Sequence, residues 1–252
     1  MKSIKQLLFS ILSEKSYLKL LHRAFYILFD IGLLKNDIKF KYHYKVKSFL
    51  EEDDVILDIG ANLGYFAKIF SRIASKGKVI CVEPLPQYFD VLHHFLGKKK
   101  NVTLHNVALG KEAGIATMIL PMQDGMIRTG LPYIPKEKTT SNERTQEVNI
   151  VNPLKLIEGE TKIDYIKCDI EGYEWIVFQE LKPLIIKNMP IVQIEIANKN
   201  LSDFLKFFAE LEYIQYGIFN HELIKEEGQQ KEEGDYLFIP KSKEVAFLNK
   251  LK

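Results

Sequence analysis

The sequence predicts an α/β fold: a mostly parallel sheet with helices on both faces, ending in an antiparallel hairpin and preceded by a helical extension. Three observations predict it. From Asp54 onward, short β-branched runs alternate with helical stretches, the rhythm of βαβ units. The first run, Val55–Ile59, passes through a glycine-containing loop into a helical stretch, the kind of joint where open α/β sheets bind ligands. The last two runs, Tyr213–Phe219 and 236–239, are joined by a charged loop with no helix, and a parallel pair would need a crossover there.

Taken in order, residues 1–50 precede this rhythm. The stretch 3–34 is dense in Leu, Ile, Phe and Tyr with Lys5, Lys15, Lys19, His22 and Arg23 interspersed, and reads as one or two amphipathic helices. It suits a lid packed on the domain, or a basic aromatic helix on an anionic membrane surface or a partner protein. Scattered lysines without a recognised motif argue against nucleic acid. The α/β domain occupies 51–240. Its strands are Val55–Ile59, Lys78–Val82, Val102–His105, 165–169 and 191–196, with helices at 65–75, 87–96, 173–181 and 202–211. Between them, 113–120 and 146–151 read as strands flanking an irregular Gly/Pro/Thr-rich loop with Gln123, Asp124 and Arg128, a candidate substrate loop. Residues 241–252 read as a basic tail.

Composition narrows the classes. A chain of 252 residues with 46% hydrophobic residues and 14 Gly is neither disordered nor collagenous. Two cysteines, Cys81 and Cys168, each inside an apolar run, suit buried thiols better than a metal or redox pair. The apolar stretch near the N-terminus is short and lacks a small-residue cleavage site, and no charge-free stretch approaches about 18 residues, so a cytosolic protein is expected. Residues 1–50 hold ten basic residues against three acidic ones, a net +7, which leaves −5 for the rest of a chain whose formal charge is +2. A basic arm on an acidic body is therefore expected.

Four constellations carry chemistry. Asp58, Gly60, Asn62 and Gly64 follow the first strand in D-x-G-x-N-x-G spacing, unlike the G-x-G-x-x-G of dinucleotide binders. An acid there repels a pyrophosphate and favours a ligand bearing positive charge. Glu83 and Pro84 end the second strand, where a carboxylate can accept from both hydroxyls of a ribose, with Leu85 and Tyr88 bordering a base. Asn106, Val107 and Ala108 follow the third strand, where an amide and backbone groups can read an adenine edge. Lys167, Asp169 and Glu171 alternate at the end of the run 165–169, so on an extended chain they project to one side. Charges crowded at a sheet's mouth must pair with each other, a ligand or a metal.

These segments, with 166–174 as Ile-Lys-Cys-Asp-Ile-Glu-Gly-Tyr-Glu and the strand acid Glu195, resemble the FkbM-type class I methyltransferases from about residue 55 to 240. The resemblance implies a Rossmann-like sheet of seven strands, S-adenosylmethionine as methyl donor, and O-methylation of hydroxyls, frequently on sugars or polyketides. Lys155, where family members often carry Asp, and the loop around Asp124 depart from the pattern, and both bear on the acceptor rather than the donor. Asp58, Gly60, Asn62, Gly64, Glu83, Pro84, Asn106, Val107 and Ala108 would hold the donor. Asp169 or Glu171 would take the acceptor proton, with Lys167 keeping one carboxylate ionised and Glu195 orienting the acceptor. No metal is expected, although Asp169 and Glu171 could ligate a divalent ion; His93, His94 and His105 are weaker base candidates. The competing readings are an NAD-dependent oxidoreductase and a non-catalytic scaffold that kept the fold.

Overall fold

A computed structural model describes residues 8–9, 11–123, 126–127, 130–135, 144–219, 222–226 and 235–251. Helix α1 (Glu14–Asp30) starts where Ser13 Oγ accepts from Ser16 N, with Glu14 in the first turn, an N-cap arrangement. A short α2 (Lys41–Lys45) follows. The first βαβαβ stretch is β1 (Val55–Ile59), α3 (Tyr65–Ile73), β2 (Lys78–Val82), α4 (Pro86–Leu96) and β3 (Val102–His105). Pro86 in the first turn of α4 costs no hydrogen bond. Next come β4 (Ala108–Leu109), β5 (Gly114–Leu120), β6 (Met122–Gln123), β7 (Met126–Ile127), β8 (Arg144–Val151) and α5 (Pro153–Leu156). The α/β rhythm resumes with β9 (Tyr165–Cys168), α6 (Glu174–Asn188), β10 (Ile191–Glu195) and α7 (Leu201–Glu210). The chain ends with β11 (Tyr213–Phe219), β12 (Glu222–Lys225), β13 (Asp235–Pro240) and α8 (Lys241–Lys250).

The main sheet has eight strands in the order β12-β11-β13-β10-β9-β1-β2-β3, one more than the seven the resemblance implies. Strands β10, β9, β1, β2 and β3 are mutually parallel, while β13 runs antiparallel to both β10 and β11. The expected antiparallel pairing of β11 with β13 is present, but β13 lies inside the sheet, and β12, unforeseen in the charged loop, forms the edge. The residues explain the placement. Tyr236 to Pro240 are all buried, so that run needs cover on both faces and a neighbour on both sides. Glu222 and Lys225 are exposed, and charge suits an edge.

Two apolar layers sandwich the sheet. On one face Ile56 packs with Phe66 and Phe70 of α3 and with Phe25, Tyr26, Tyr42, Val46 and Phe49. On the other, Leu57 and Ile59 pack with Phe178 of α6 and Phe204 and Phe208 of α7. Residues 25–50 therefore share the core of the α/β body. At the far end of the chain, 241–250 is helical, with Phe247 buried 5.4 Å from the ring of Phe49. Helix α6 continues past the expected stop at 181 through Pro183, because Leu181 and Ile185 extend the face that Val177 and Phe178 bury. Burial there offsets the lost backbone bond.

A three-stranded sheet, β4-β8-β5, forms a second layer at the carboxyl ends of β1, β2 and β3. Its inner residues Ala108, Met118, Leu120 and Val148 pack with Tyr17 and Leu18 of α1 and with Leu63, Leu85 and Tyr88. Among the described residues no helix is long and apolar enough to cross a membrane.

Candidate active site

The loop after β1 is shaped by three contacts. Gly60 N and Ala61 N both donate to Val82 O over 3.0 Å, tying the loop to the end of β2. Gly60 has φ +77°, and a Cβ there would lie 1.9 Å from the backbone oxygen of Asp169, so only glycine lets the loop and the end of β9 approach. Asn62, at φ 52°, donates its N–H to Glu83 Oε2 over 2.8 Å. Helix α1 holds the same loop from outside: His22 Nδ1 donates to Leu63 O over 2.8 Å, and Tyr26 Oη donates to Gly64 O and to Tyr65 O over 3.3 and 2.5 Å. Burial keeps His22 neutral, its pKa lowered to about 4.

Glu83 is buried, with Oε2 bound by Asn62 N and Oε1 by Leu85 N over 2.9 Å. Desolvation pushes its pKa up to about 7 against the pull of those two amides. Each oxygen keeps a lone pair for a further donor. Asn106 plays a different part from the expected one. Its side-chain amide donates to Glu83 O and Pro84 O over 2.8 and 2.9 Å, which staples the turn and leaves no amide hydrogen for a ligand.

Between these loops lies a cleft with about 640 Å³ of atom-free space, part of it open solvent. Of the candidate residues, Gly60, Asn62, Glu83, Pro84, Val107, Ala108, Asp169 and Glu171 line it. Asp58, Gly64, Asn106, Lys167 and Glu195 do not. Gly64 is a packing glycine: it precedes α3 at φ +88°, and a Cβ would meet Leu92 at 2.8 Å. His93, His94 and His105 are not lining residues either. Met118, Gly130, Pro132 and Ile134, none of them singled out in the sequence, also wall the cleft. Met118 is on the strand before the candidate substrate loop, and Gly130, Pro132 and Ile134 are within that loop, which no local pattern shows folding back over the cleft; Asp124 and Arg128 of the same loop lie outside the described residues.

The charged end of the cleft is built on β9 and β10. Lys167 is opposite Asp58 in the parallel register, and its buried ammonium donates to Gly60 O over 3.3 Å and Asp169 Oδ2 over 3.1 Å. Burial alone would lower its pKa, but Asp169, Asp58 and Asp235 outweigh that and raise it. Asp58 is fully buried, neither oxygen has a hydrogen-bond partner, and desolvation lifts its pKa to about 6. The strand ends at Cys168, so the expected alternation stops there. Glu171 reaches the cleft through a turn in which it has φ 56° and Gly172 φ 99°. The turn is pinned by Glu174 Oε1, which accepts from Ile170 N and Gly172 N.

Asp169, Glu171 and Glu195 offer carboxylate oxygens within 4.8 Å of one another. Glu195 shares a hydrogen bond with Asp169, and desolvation, the Asp169 charge and that bond raise its pKa to about 8. Burial opposes ionisation of Asp169, yet Lys167 and the Glu195 hydrogen bond hold it below the usual carboxylate range. Desolvation, Asp169 and Glu174 bring Glu171 to about 7. The set has the oxygen-only chemistry of a hard-cation site, and the Lys167 ammonium lies 3.1 Å from its Asp169 Oδ2.

A family model described as the methyltransferase FkbM domain matches residues 58–216, well over half of the chain. The chain belongs to the FkbM methyltransferase family. The 2-O-methyltransferase NoeI of Sinorhizobium fredii (strain NBRC 101917 / NGR234) is 33% identical over 87 residues, 34% of this chain and 36% of that protein. The crystal structure of methyltransferase FkbM from Methylobacillus flagellatus KT superposes with a TM-score of 0.52 at 13% identity, covering 75% of this chain and 44% of that one. The chain thus spans less than half the length of either relative, and the structural likeness shows a class I methyltransferase fold. Membership removes the ground for an NAD-dependent oxidoreductase. The FkbM-type cleft also fits a cationic adenosyl ligand on its own chemistry: Glu83 keeps lone pairs free, the other lining residues there are mainly apolar, and beneath the loop Asp58 is a buried carboxylate with no hydrogen-bond partner.

Proposed function

We propose that this chain is an S-adenosylmethionine-dependent O-methyltransferase whose acceptor is a hydroxyl of a sugar or glycan intermediate. The observation that carries the reading is one cleft lined both by a doubly bound Glu83 and by Asp169 and Glu171, with Glu195 beside those two carboxylates. The donor would supply an electrophilic methyl on a sulfonium, and in-line displacement then requires a positioned, deprotonated hydroxyl.

The chain's residues divide that work. Glu83 accepts from the ribose hydroxyls, and Pro84, Val107 and Ala108 enclose the base. Asp58 and Lys167 set the charge under the loop that carries Gly60 and Asn62. Glu171, with a pKa near 7, is the group best matched to take a hydroxyl proton at neutral pH. Asp169 accepts a hydrogen bond from the acceptor and Glu195 orients it, the Glu195 proton keeping two adjacent carboxylates from repelling each other. Three clustered carboxyl groups suit a polyhydroxylated acceptor, and the sugar class itself rests on likeness to the family.

The test is a labelled-methyl transfer screen over nucleotide sugars, lipid-linked oligosaccharides and small hydroxylated metabolites, paired with calorimetry of S-adenosylhomocysteine against NADH. Transfer to a sugar hydroxyl together with S-adenosylhomocysteine binding is the expected outcome. Binding without transfer to any acceptor makes the chain a non-catalytic scaffold, and absence of binding sinks the donor assignment.

A further inference from the structure

Helix α1 has two apolar faces, and the fold uses only one. Tyr17, Leu18, His22, Phe25 and Tyr26 are buried against the body. Opposite them, Leu20, Ile27, Leu28 and Ile31 are exposed, and the stripe continues through Leu33 and Ile38, each about 70% exposed. These are six of the thirteen strongly exposed large apolar side chains among the described residues, gathered into 19 residues of a 252-residue chain. Such concentration marks an interaction surface rather than scattered exposure. The helix cannot turn over to hide the stripe, because its other face is held by the bonds of His22 and Tyr26 to the Gly60–Tyr65 loop.

Charge identifies what the stripe meets. Arg23 lies between Leu20 and Ile27 at helical spacing, and Lys19 is one turn from it. Arg23 lies 5.8 Å from the ring of Phe95 on α4 and Lys15 pairs with Asp90 of the same helix, so the basic residues of α1 gather beside α4 and its exposed His94, whose pKa is lowered by desolvation and then by Lys19, Arg23, Lys15 and Lys98. The neighbouring acids are engaged: Asp30 with Arg72 in two hydrogen bonds, Asp90 with Lys15, Glu14 with Arg144. Asp37, the other acid of the segment, accepts from Lys39 N. Lys19, Arg23, Lys35, Lys39 and Lys98 form no ion pair among the described residues. An exposed apolar stripe edged by cations that form no ion pair among the described residues, on a helix packed along its domain, is the pattern of a segment that settles into the interface of a negatively charged bilayer.

We propose that the outer face of α1, continued through Ile38, docks this protein on an anionic lipid surface, with the isoleucine and leucine side chains entering the interface and the Lys19–Arg23–Lys98 group meeting the headgroups. A bilayer is favoured over a protein partner because cations border the stripe while the neighbouring acids Asp30, Asp90 and Glu14 are already paired with other cations. The proposal does not depend on the identity of the methyl acceptor.

The test is co-sedimentation of the full chain with vesicles of phosphatidylcholine alone and with about 30% phosphatidylglycerol. Pelleting with the anionic vesicles only, reduced by 0.5 M salt, is expected. Ile27→Ser/Ile31→Ser should abolish it, and Lys19→Gln/Arg23→Gln should weaken partitioning about fivefold per charge removed. Arg23, Ile27 and Ile31 are exposed and Lys19 is half-buried, so unchanged melting temperatures and unchanged S-adenosylhomocysteine affinity will separate lost docking from lost folding. Equal failure to pellet with both vesicle types overturns the proposal. So does a dimer, seen by light scattering, that the Ile27→Ser/Ile31→Ser variant converts to monomer, since a second copy would then cover the stripe.

Discussion

Lys167 Nζ donates to Asp169 Oδ2 over 3.1 Å while lying across the sheet from Asp58, whose buried oxygens have no hydrogen-bond partner. One ammonium thus serves a carboxylate in the cleft and another beneath it. That sharing sets the ionisation of the whole cluster: Asp169 stays charged, and its charge in turn raises Glu171 and Glu195.

If Glu171 takes the acceptor proton, Glu171→Gln should lower kcat by about 10²- to 10⁴-fold and leave S-adenosylhomocysteine affinity within about threefold by calorimetry. Turnover within tenfold of the parent would assign the proton to another group.

The pH profile distinguishes Asp169 from Glu171. Activity should rise with pH through about 7 as Glu171 ionises. Asp169 is a main cause of that raised value, second to desolvation, so Asp169→Asn should lower kcat and move the rising limb to lower pH. A limb that stays in place argues that Glu171 is not the titrating group.

Stability of the donor-free protein should fall as pH rises from 6.5 to 8. Asp58 and Glu83 have folded pKa values of about 6 and 7, above their ordinary values, so the native state binds more protons than the unfolded chain and stability drops as they ionise. Over that window Glu83 should contribute about 0.8 kcal/mol and Asp58 about 0.2 kcal/mol. Below pH 6.5 the buried His22 and His43, with pKa values of about 4 and 3, act in the opposite sense, since they must charge on unfolding. Denaturant titrations at several pH values check the slope. The stabilisation by S-adenosylmethionine should grow with pH across the window more than that by uncharged-sulfur S-adenosylhomocysteine.

Two glycines separate contact from strain. Gly60→Ala places a Cβ 1.9 Å from the Asp169 oxygen, whereas Gly172→Ala, at φ +99°, meets nothing within 4 Å. Gly172→Ala should cost about 1 kcal/mol of backbone strain. Gly60→Ala should cost several times more and abolish S-adenosylhomocysteine binding. Equal losses in the two variants would mean that the close approach of the loop to β9 is unimportant.

Tyr26→Phe removes the hydroxyl that binds the Gly64 and Tyr65 carbonyls. A loss of about 1–2 kcal/mol is expected, together with weaker donor binding, because those carbonyls frame the loop lining the cleft. Unchanged donor affinity would reduce α1 to a packing element.

The sequence by itself determined the order of strands and helices, the parallel core of the sheet and the loops at its carboxyl edge, because those follow from local periodicity and from glycine and acid positions next to each strand. Eight of its proposed site residues, Gly60 and Glu83 to Asp169 and Glu171 among them, line one cleft for that reason. Only the tertiary structure decided the rest. Asn106 became a staple of the Glu83 turn, and Asp58 and Lys167 went beneath the site, because side-chain partners are settled across strands that lie far apart in the chain. The +7 arm and the −5 body, separate in composition, share one core through Phe25, Tyr26 and Tyr42. An amphipathic pattern shows that a helix has an apolar face; only packing shows that α1 buries one face and leaves a second apolar stripe in water.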